Sequence, residues 1–265
     1  MHLVALTRLT PAFEADLKEL ASWVSLAPYD LGLRVRAGLP ALLGGFATLQ
    51  EAEDRVATLR KRGYGAVHCH SKDAAGASEQ NVPRDFQLSN GVLAGIDHAG
   101  KAYHLRLSDI TALIRALSIL AVENSTTTEK KQFAIGRALA SGGVVRSKTV
   151  EQTQSATSEE REQVLYVFAN GSPHPLLFRE TRLHYQGLGA SLKPVASQNF
   201  ATLTEMLRAA APHAFYDERF LRQKRKVGVA SISAVGKQVS VASSNASDND
   251  LAVHLLVLAH AQKQL

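Results

Sequence analysis

Apolar positions change their period several times along this chain, and each change predicts an element. His2–Leu9 carries apolar residues at 3, 4, 5, 6 and 9, the run of a buried strand. Thr10 as N-cap and Pro11 at the first helical position then predict a helix. Phe13, Leu17, Leu20, Ala21 and Val24 recur at helical spacing, with Glu14, Asp16, Lys18 and Glu19 on the other face, and Pro28 reads as the end. Leu31–Ala37 alternates Leu31, Leu33, Val35 and Ala37 against Gly32, Arg34 and Arg36, the period of a half-buried strand, with Leu39–Phe46 as a short apolar partner. Thr48 with Glu51 three residues on predicts a capping box, and Leu49, Ala52, Val56 and Leu59 line the helix that Gly63 ends. Tyr64–His68 returns as a strand. The order β-α-β-β-α-β is the split βαβ plan of ferredoxin-like domains, which places the module at residues 1–70.

The stretch RVRAGLPALLGGFATLQEAEDRVATLRKRGYGAVHC resembles the second half of a SPOR-type repeat. Val35, Phe46, Glu51, Ala52, Leu59, Gly63 and Tyr64 match in kind the RV-x-x-G strand, the phenylalanine, the EA pair opening a helix and the L-x-x-x-G-Y exit. The resemblance implies a fold. The cell-wall glycan that SPOR domains bind is not carried over, because those domains usually follow a membrane anchor and none is visible here.

Residues 71–83 (SKDAAGASEQNVP) are small, polar and end in proline, which predicts a linker. Beyond it the pattern becomes β-like, and residues 84–218 read as a second module. Phe86–Leu88, Val92–Ile96 and Tyr103–Leu107 are short strands, and Ile110–Val122 fits helix or strand. Phe133–Ala140 and Gly143–Val150 read as a hairpin about Ser141-Gly142-Gly143. Gln163–Ala169 and Leu176–Tyr185 form a second pair. Ser125–Thr128 and Thr149–Thr157 read as exposed loops. Asn199–Ala211 is an amphipathic helix with Asn199 as its cap and Phe200, Leu203, Met206 and Leu207 on one face. Strands followed by a helix, together with the text HLRLSDITALI, resemble bacterial PH-like domains in topology; an open antiparallel sheet with one packed helix explains the pattern equally well. The fold class expected is α+β.

Residues 219–265 form a third segment. Arg219, Arg222, Lys224, Arg225 and Lys226 supply five positive charges without an acid, nearly the whole net charge of +6 (30 Lys+Arg against 24 Asp+Glu). The remainder of the chain is therefore close to neutral. Val227–Ser244 reads as a weak hairpin or a flexible linker. Ser247–Asp250 starts a helix that is apolar almost all round through Leu251, Val253, Leu255, Leu256 and Leu258. Such a helix must bury both sides, and it is shorter than the ~18 residues of a membrane span. It docks either into its own chain or onto another subunit.

Charged residues make up 20% of the chain and apolar residues 45%, which excludes wholesale disorder. One cysteine excludes an intrachain disulfide framework. No secretory signal is read in the opening residues, and a cytoplasmic location is expected. His68 and His70 flank Cys69 on a strand, so they point away from it, and no further ligand pair is spaced for zinc. Gly136-Arg137, Ser141-Gly142-Gly143 and Arg146 lead into a strand, not into the helix that a phosphate loop needs. Glu159, Glu160 and Glu162 with Arg161 read as a solvated run. No catalytic, metal or cofactor residue is assigned. The function expected is a cytoplasmic adaptor, scaffold or assembly subunit working through protein contacts. Self-association or a partner would use Leu251, Val253, Leu255, Leu256 and Leu258. The alternative is a nucleic-acid- or anionic-membrane-binding protein using residues 219–226.

Overall fold

The opening apolar run forms β1 (His2–Arg8), and it has no polar face because both of its faces are covered. The computed structural model describes residues 1–73, 81–133, 147–172, 174–222, 228–235 and 238–265. The chain is α+β. β1 is the centre of a sheet ordered β2-β1-β3, with β2 (Ala41–Phe46) and β3 (Gly65–His70) both antiparallel to it. Val4 and Leu6, with Leu43 and Ala66, pack on α1 (Phe13–Ser22), α2 (Pro28–Arg36) and α3 (Leu49–Lys61). α3 carries the expected box: Thr48 Oγ1 accepts from Glu51 N, and the Glu51 carboxylate accepts from Thr48 N, each at 3.3 Å.

Three details differ from the sequence expectation. The predicted strand Leu31–Ala37 is α2, so the module runs β-α-α-β-α-β and its sheet has three strands. Over seven residues a period of two and a helical period share Leu31 and Val35, and the burial of Gly32 beside Leu31, with Leu33 exposed, follows the helical one. The local charges decide for helix, with Asp30 in the first turn and Arg34 and Arg36 in the last. Pro28 therefore opens this helix and does not close the one before it. Val35, matched above to a SPOR strand, also lies in α2. Third, α1 begins at Phe13 without a side-chain cap, so Thr10 and Pro11 lie in the preceding turn.

The next strands are a meander of β4 (Gln87–Ser89), β5 (Val92–Ile96) and β6 (Ala102–Arg106). A second sheet holds β7 (Ile110–Phe133), β8 (Ser147–Ala169), β9 (Leu176–Arg179) and β10 (Phe215–Phe220), the last parallel to β7. Leu93, Leu113, Leu165, Val167 and Phe178 from the two sheets meet Phe200, Leu203 and Leu207 of α4 (Ala196–Ala210). Asn199 does not cap α4; it lies buried in its first turn. Its Oδ1 accepts from Lys193 N (2.6 Å) and its Nδ2 donates to Lys193 O (2.8 Å), clamping the incoming loop. Phe86 sits edge-on to Phe178, ring centroids 6.4 Å apart. Gly95 and Gly187 close on the backbone of Asp85 and Phe86, where an added Cβ would overlap a carbonyl oxygen.

The apolar helix α5 (Ala246–Ala261) docks within its own chain. Leu255 and Ala259 cover Leu3, Ala5, Val67 and Cys69 of the first sheet. Ala252, Val253 and Leu256 cover Ala112, Ile114, Val164, Tyr166 and Phe220 of the second. Of the two sequence alternatives the structure takes this one. Val253, Leu255 and Leu256 are buried against the chain itself, and the half-buried Leu251 and Leu258 pack beside them. Polar groups fix the register. Tyr166 Oη donates to Asp250 Oδ1 at 2.7 Å, both buried, and Asn249 Nδ2 donates to Leu117 O at 2.9 Å. Thr7 Oγ1 donates to Gln264 O, and Arg8 donates to Leu265 O at 3.0 Å.

Two compact units result. One comprises Met1–Ser118, Glu162–Lys226 and Ala246–Leu265; the other comprises Ile119–Arg161 and Val227–Asn245. The second unit takes the later half of β7, the earlier part of β8 and the antiparallel pair β11 (Gly228–Val235) and β12 (Gln238–Ser244). β12 pairs with β7 from Gln238↔Thr126 to Ser244↔Leu120. The segment read as hairpin or linker is thus a hairpin. Ser125–Thr128 and residues 149–157, read as loops, lie in β7 and β8, where Thr and Val suit an extended backbone. The turn at Ser141-Gly142-Gly143, with Gly136, Arg137 and Arg146, lies outside the described residues, as do residues 74–80 of the linker. No described helix is long and apolar enough to cross a membrane.

Candidate functional site

The two sheets of the middle module part at one end into a cleft of about 400 Å³. β6 contributes Tyr103, His104 and Leu105, the end of β8 contributes Val167 and Ala169, and Leu176 begins β9. Tyr103, Leu105 and Leu176 pack against the same core as Val167, so the floor of the cleft continues the apolar interior. Lys101, His104 and His174 stand at its rim. Asp97 belongs to the turn before β6. It is 7% exposed, its N–H donates to Lys101 O (2.9 Å) and its Oδ1 accepts from Lys101 N (2.8 Å). Tyr103 Oη donates to Asp85 O at 2.7 Å. Burial, with the charge of Asp85, pushes its phenol well above the ordinary tyrosine range. The cleft has the size to hold a small molecule.

A second hollow, about 460 Å³, borders the edge strand β2. Leu33, Asp30 and Arg34 of α2 form one wall, Leu42 the base, and Asp248 at the start of α5 another wall. Tyr29, 69% exposed, and Leu33, 41% exposed, stand one helical turn apart on α2.

The basic segment begins inside the sheet. Arg219 lies in β10, where Asp217 accepts from its backbone N (2.8 Å) and its guanidinium (2.8 Å), so its charge is locally answered. Phe220 is buried against α5. Arg222 is exposed. Lys224, Arg225 and Lys226 lie outside the described residues. Cys69 is buried as a core-facing residue, its thiol pushed up to about 11 by burial and by Asp73, which removes it as a nucleophile at neutral pH. Among the described residues no group of three His, Cys, Asp or Glu is placed to hold a metal.

Sequence reading missed a polar network across the second sheet. Arg115 of β7 donates to Glu218 Oε2 (3.3 Å) and to Gln163 Oε1, and Tyr216 Oη donates to the same Glu218 oxygen (3.0 Å). Glu162 is not part of a solvated run: its carboxylate takes Arg179 and Thr181. Tyr216 and Glu218 are two positions apart, but the other partners lie 17 to 103 positions apart and only strand pairing brings them together. Burial alone would raise the Glu162 carboxyl, but the Thr181 and Arg179 hydrogen bonds and the Arg179 charge outweigh it and hold the group below its ordinary value of 4.5. A depressed carboxyl stabilises the fold above its unfolded pKa, and that contribution is lost as pH falls through the folded value. Glu162→Gln is accordingly expected to flatten the loss of stability below pH 4.5. Urea titrations at pH 7 and at stepped acid values give the comparison; a wild-type acid slope retained in full by the variant contradicts this assignment.

Against family models, curated proteins and solved structures, the chain gives no match.

Proposed function

We propose that the protein is a non-catalytic adaptor or assembly subunit, and that it takes its partner at the edge of the first sheet. One observation supports this: β2 (ALLGGF) is a terminal strand without a charged residue, set beside a groove. Edge strands that avoid pairing usually carry Lys, Pro or an inward charge. β2 has none within its length; a bulge at Leu43 is its one irregularity in register, and Gly45 beyond it is exposed. The row of backbone donors and acceptors along such an edge selects an extended segment, whose side chains alternate to the two sides of the added strand. On this surface they meet Leu33 and Leu42, with Asp30 and Asp248 available to a cationic residue. The partner is therefore an extended peptide segment that carries Lys or Arg between small or aliphatic residues.

A photoreactive amino acid at Tyr29 captures such a partner, which is then purified and titrated against the wild type and Leu33→Lys. Leu33 is 41% exposed, so the variant keeps its fold. The reading requires the purified pair to bind, and Leu33→Lys, which removes the apolar anchor and repels a cationic segment, to weaken it by roughly tenfold or more, the scale of an interface anchor. Equal affinity for both proteins rejects the site.

A further inference from the structure

We propose that the cleft between β6 and the β8–β9 end binds a small amphipathic anion, with an apolar body between the sheets and a carboxylate or phosphate head at Lys101. This site is separate from the β2 edge and independent of peptide docking there.

The lining divides by chemistry. Leu105, Val167, Ala169 and Leu176 come from facing sheets and are continuous with the core, so a ligand body placed there leaves water for apolar walls. The volume, about 400 Å³, falls in the usual range for small-molecule sites, about 300–1,000 Å³. At the rim, Lys101 forms no ion pair among the described residues, and His174 adds a further polar side chain. Among the described residues the lining holds a single carboxylate, Asp97. Its Oδ1 is held by the Lys101 backbone and its side chain is buried in the turn, so the acid lies inside the loop that presents Lys101. Ser172 and Asn81 are neutral, and the Ser172 hydroxyl is already donated to His174 O at 2.6 Å. The Tyr103 hydroxyl is committed to Asp85 O, which leaves its ring to the cleft. Apolar walls that end at the Lys101 ammonium select an anion with a hydrocarbon body over a cation of the same size, because the ammonium head of such a cation would meet Lys101 at close range.

Calorimetric titration of the full chain tests this with four probes: decanoate, decyl phosphate, acetate and decyltrimethylammonium. Decanoate or decyl phosphate is expected to bind, and whichever is tighter identifies the head group. Acetate, which lacks the body, and decyltrimethylammonium, which inverts the charge, are expected to bind at least ~10-fold more weakly. Lys101→Glu changes an exposed side chain whose backbone alone makes the turn, and is expected to weaken the anion about 10-fold. Ala169→Phe fills the cleft from a half-exposed position and is expected to abolish binding. The proposal is overturned if neither long-chain anion binds the wild type, if decyltrimethylammonium binds as tightly, or if both folded variants bind as the wild type does.

Discussion

Removing the last helix is expected to unfold the protein, not to dissociate an oligomer. Deletion of Asp250–Leu265 uncovers Leu3, Ala5 and Val67 on one sheet and Ala112, Ile114 and Val164 on the other, since α5 is packed between them. Tyr166 also loses its buried acceptor. Leu256 isolates the packing part of the effect because it is fully buried and has no polar role. Leu256→Ala should cost about 2–5 kcal/mol, the range for truncating a large aliphatic side chain in a core that cannot collapse. Against a total stability of about 5–15 kcal/mol for an ordinary domain, that is a large fraction. Denaturant unfolding of the point variant, with light scattering of the deleted chain, separates the two pictures. A well-folded deleted chain with an unchanged unfolding midpoint refutes a core role for α5.

The second large effect is expected where two glycines grip the chain. Gly95 and Gly187 admit the backbone of Asp85 and Phe86 so closely that a methyl group at either position would overlap a carbonyl oxygen. A flexible side chain can move out of the way, whereas a carbonyl set between two sheets can do so only by carrying Phe86 with it. Phe86 is 3% exposed and edge-on to Phe178, so its displacement opens the core. Gly187→Ala should therefore exceed the usual overpacking cost of about 1–3 kcal/mol, although alanine ordinarily favours folding by restricting the unfolded chain. The backbone angle at Gly187 is not the cause, because the restriction is the contact itself. Thermal unfolding of Gly187→Ala beside Gly91→Ala makes the comparison. Gly91 has open space about its added Cβ but a positive φ of 75°, so its variant reports backbone strain alone. Equal losses in the two variants would exclude the proposed clash.

Much of the architecture could be read from residue patterns. Thr48 and Glu51 marked a helix start through a local hydrogen-bond requirement that the structure meets at the same two residues. The expected pair Gln163–Ala169 and Leu176–Tyr185 became the end of β8 and the shorter β9, in register from Val164↔Arg179 to Val167↔Leu176. The misreadings share a cause. At Leu31–Ala37 the window was too short for two periods to diverge, and at Ser125–Thr128 polar composition concealed an extended backbone that neighbouring strands complete. At Glu162 a charge was read as solvated because its partner, Arg179, is brought opposite only by the β8–β9 register. The cleft was invisible for the same reason. Lys101, Val167 and His174 share no motif, and their meeting depends on how two sheets face each other.

The sequence by itself determined that α5 must be covered on both sides, because a helix without a polar face cannot rest against water on either one. It also located the excess positive charge and the α+β class, which follow from composition and local period. What covers α5, and what answers Arg115 and Glu162, was decided by tertiary structure. Hydrophobic burial is non-directional, so an apolar helix fits its own chain or another equally well until the shapes of both surfaces exist. Here two sheets, built from strands far apart in sequence, leave a slot lined by Leu3, Val67, Ile114 and Val164, and α5 fills it.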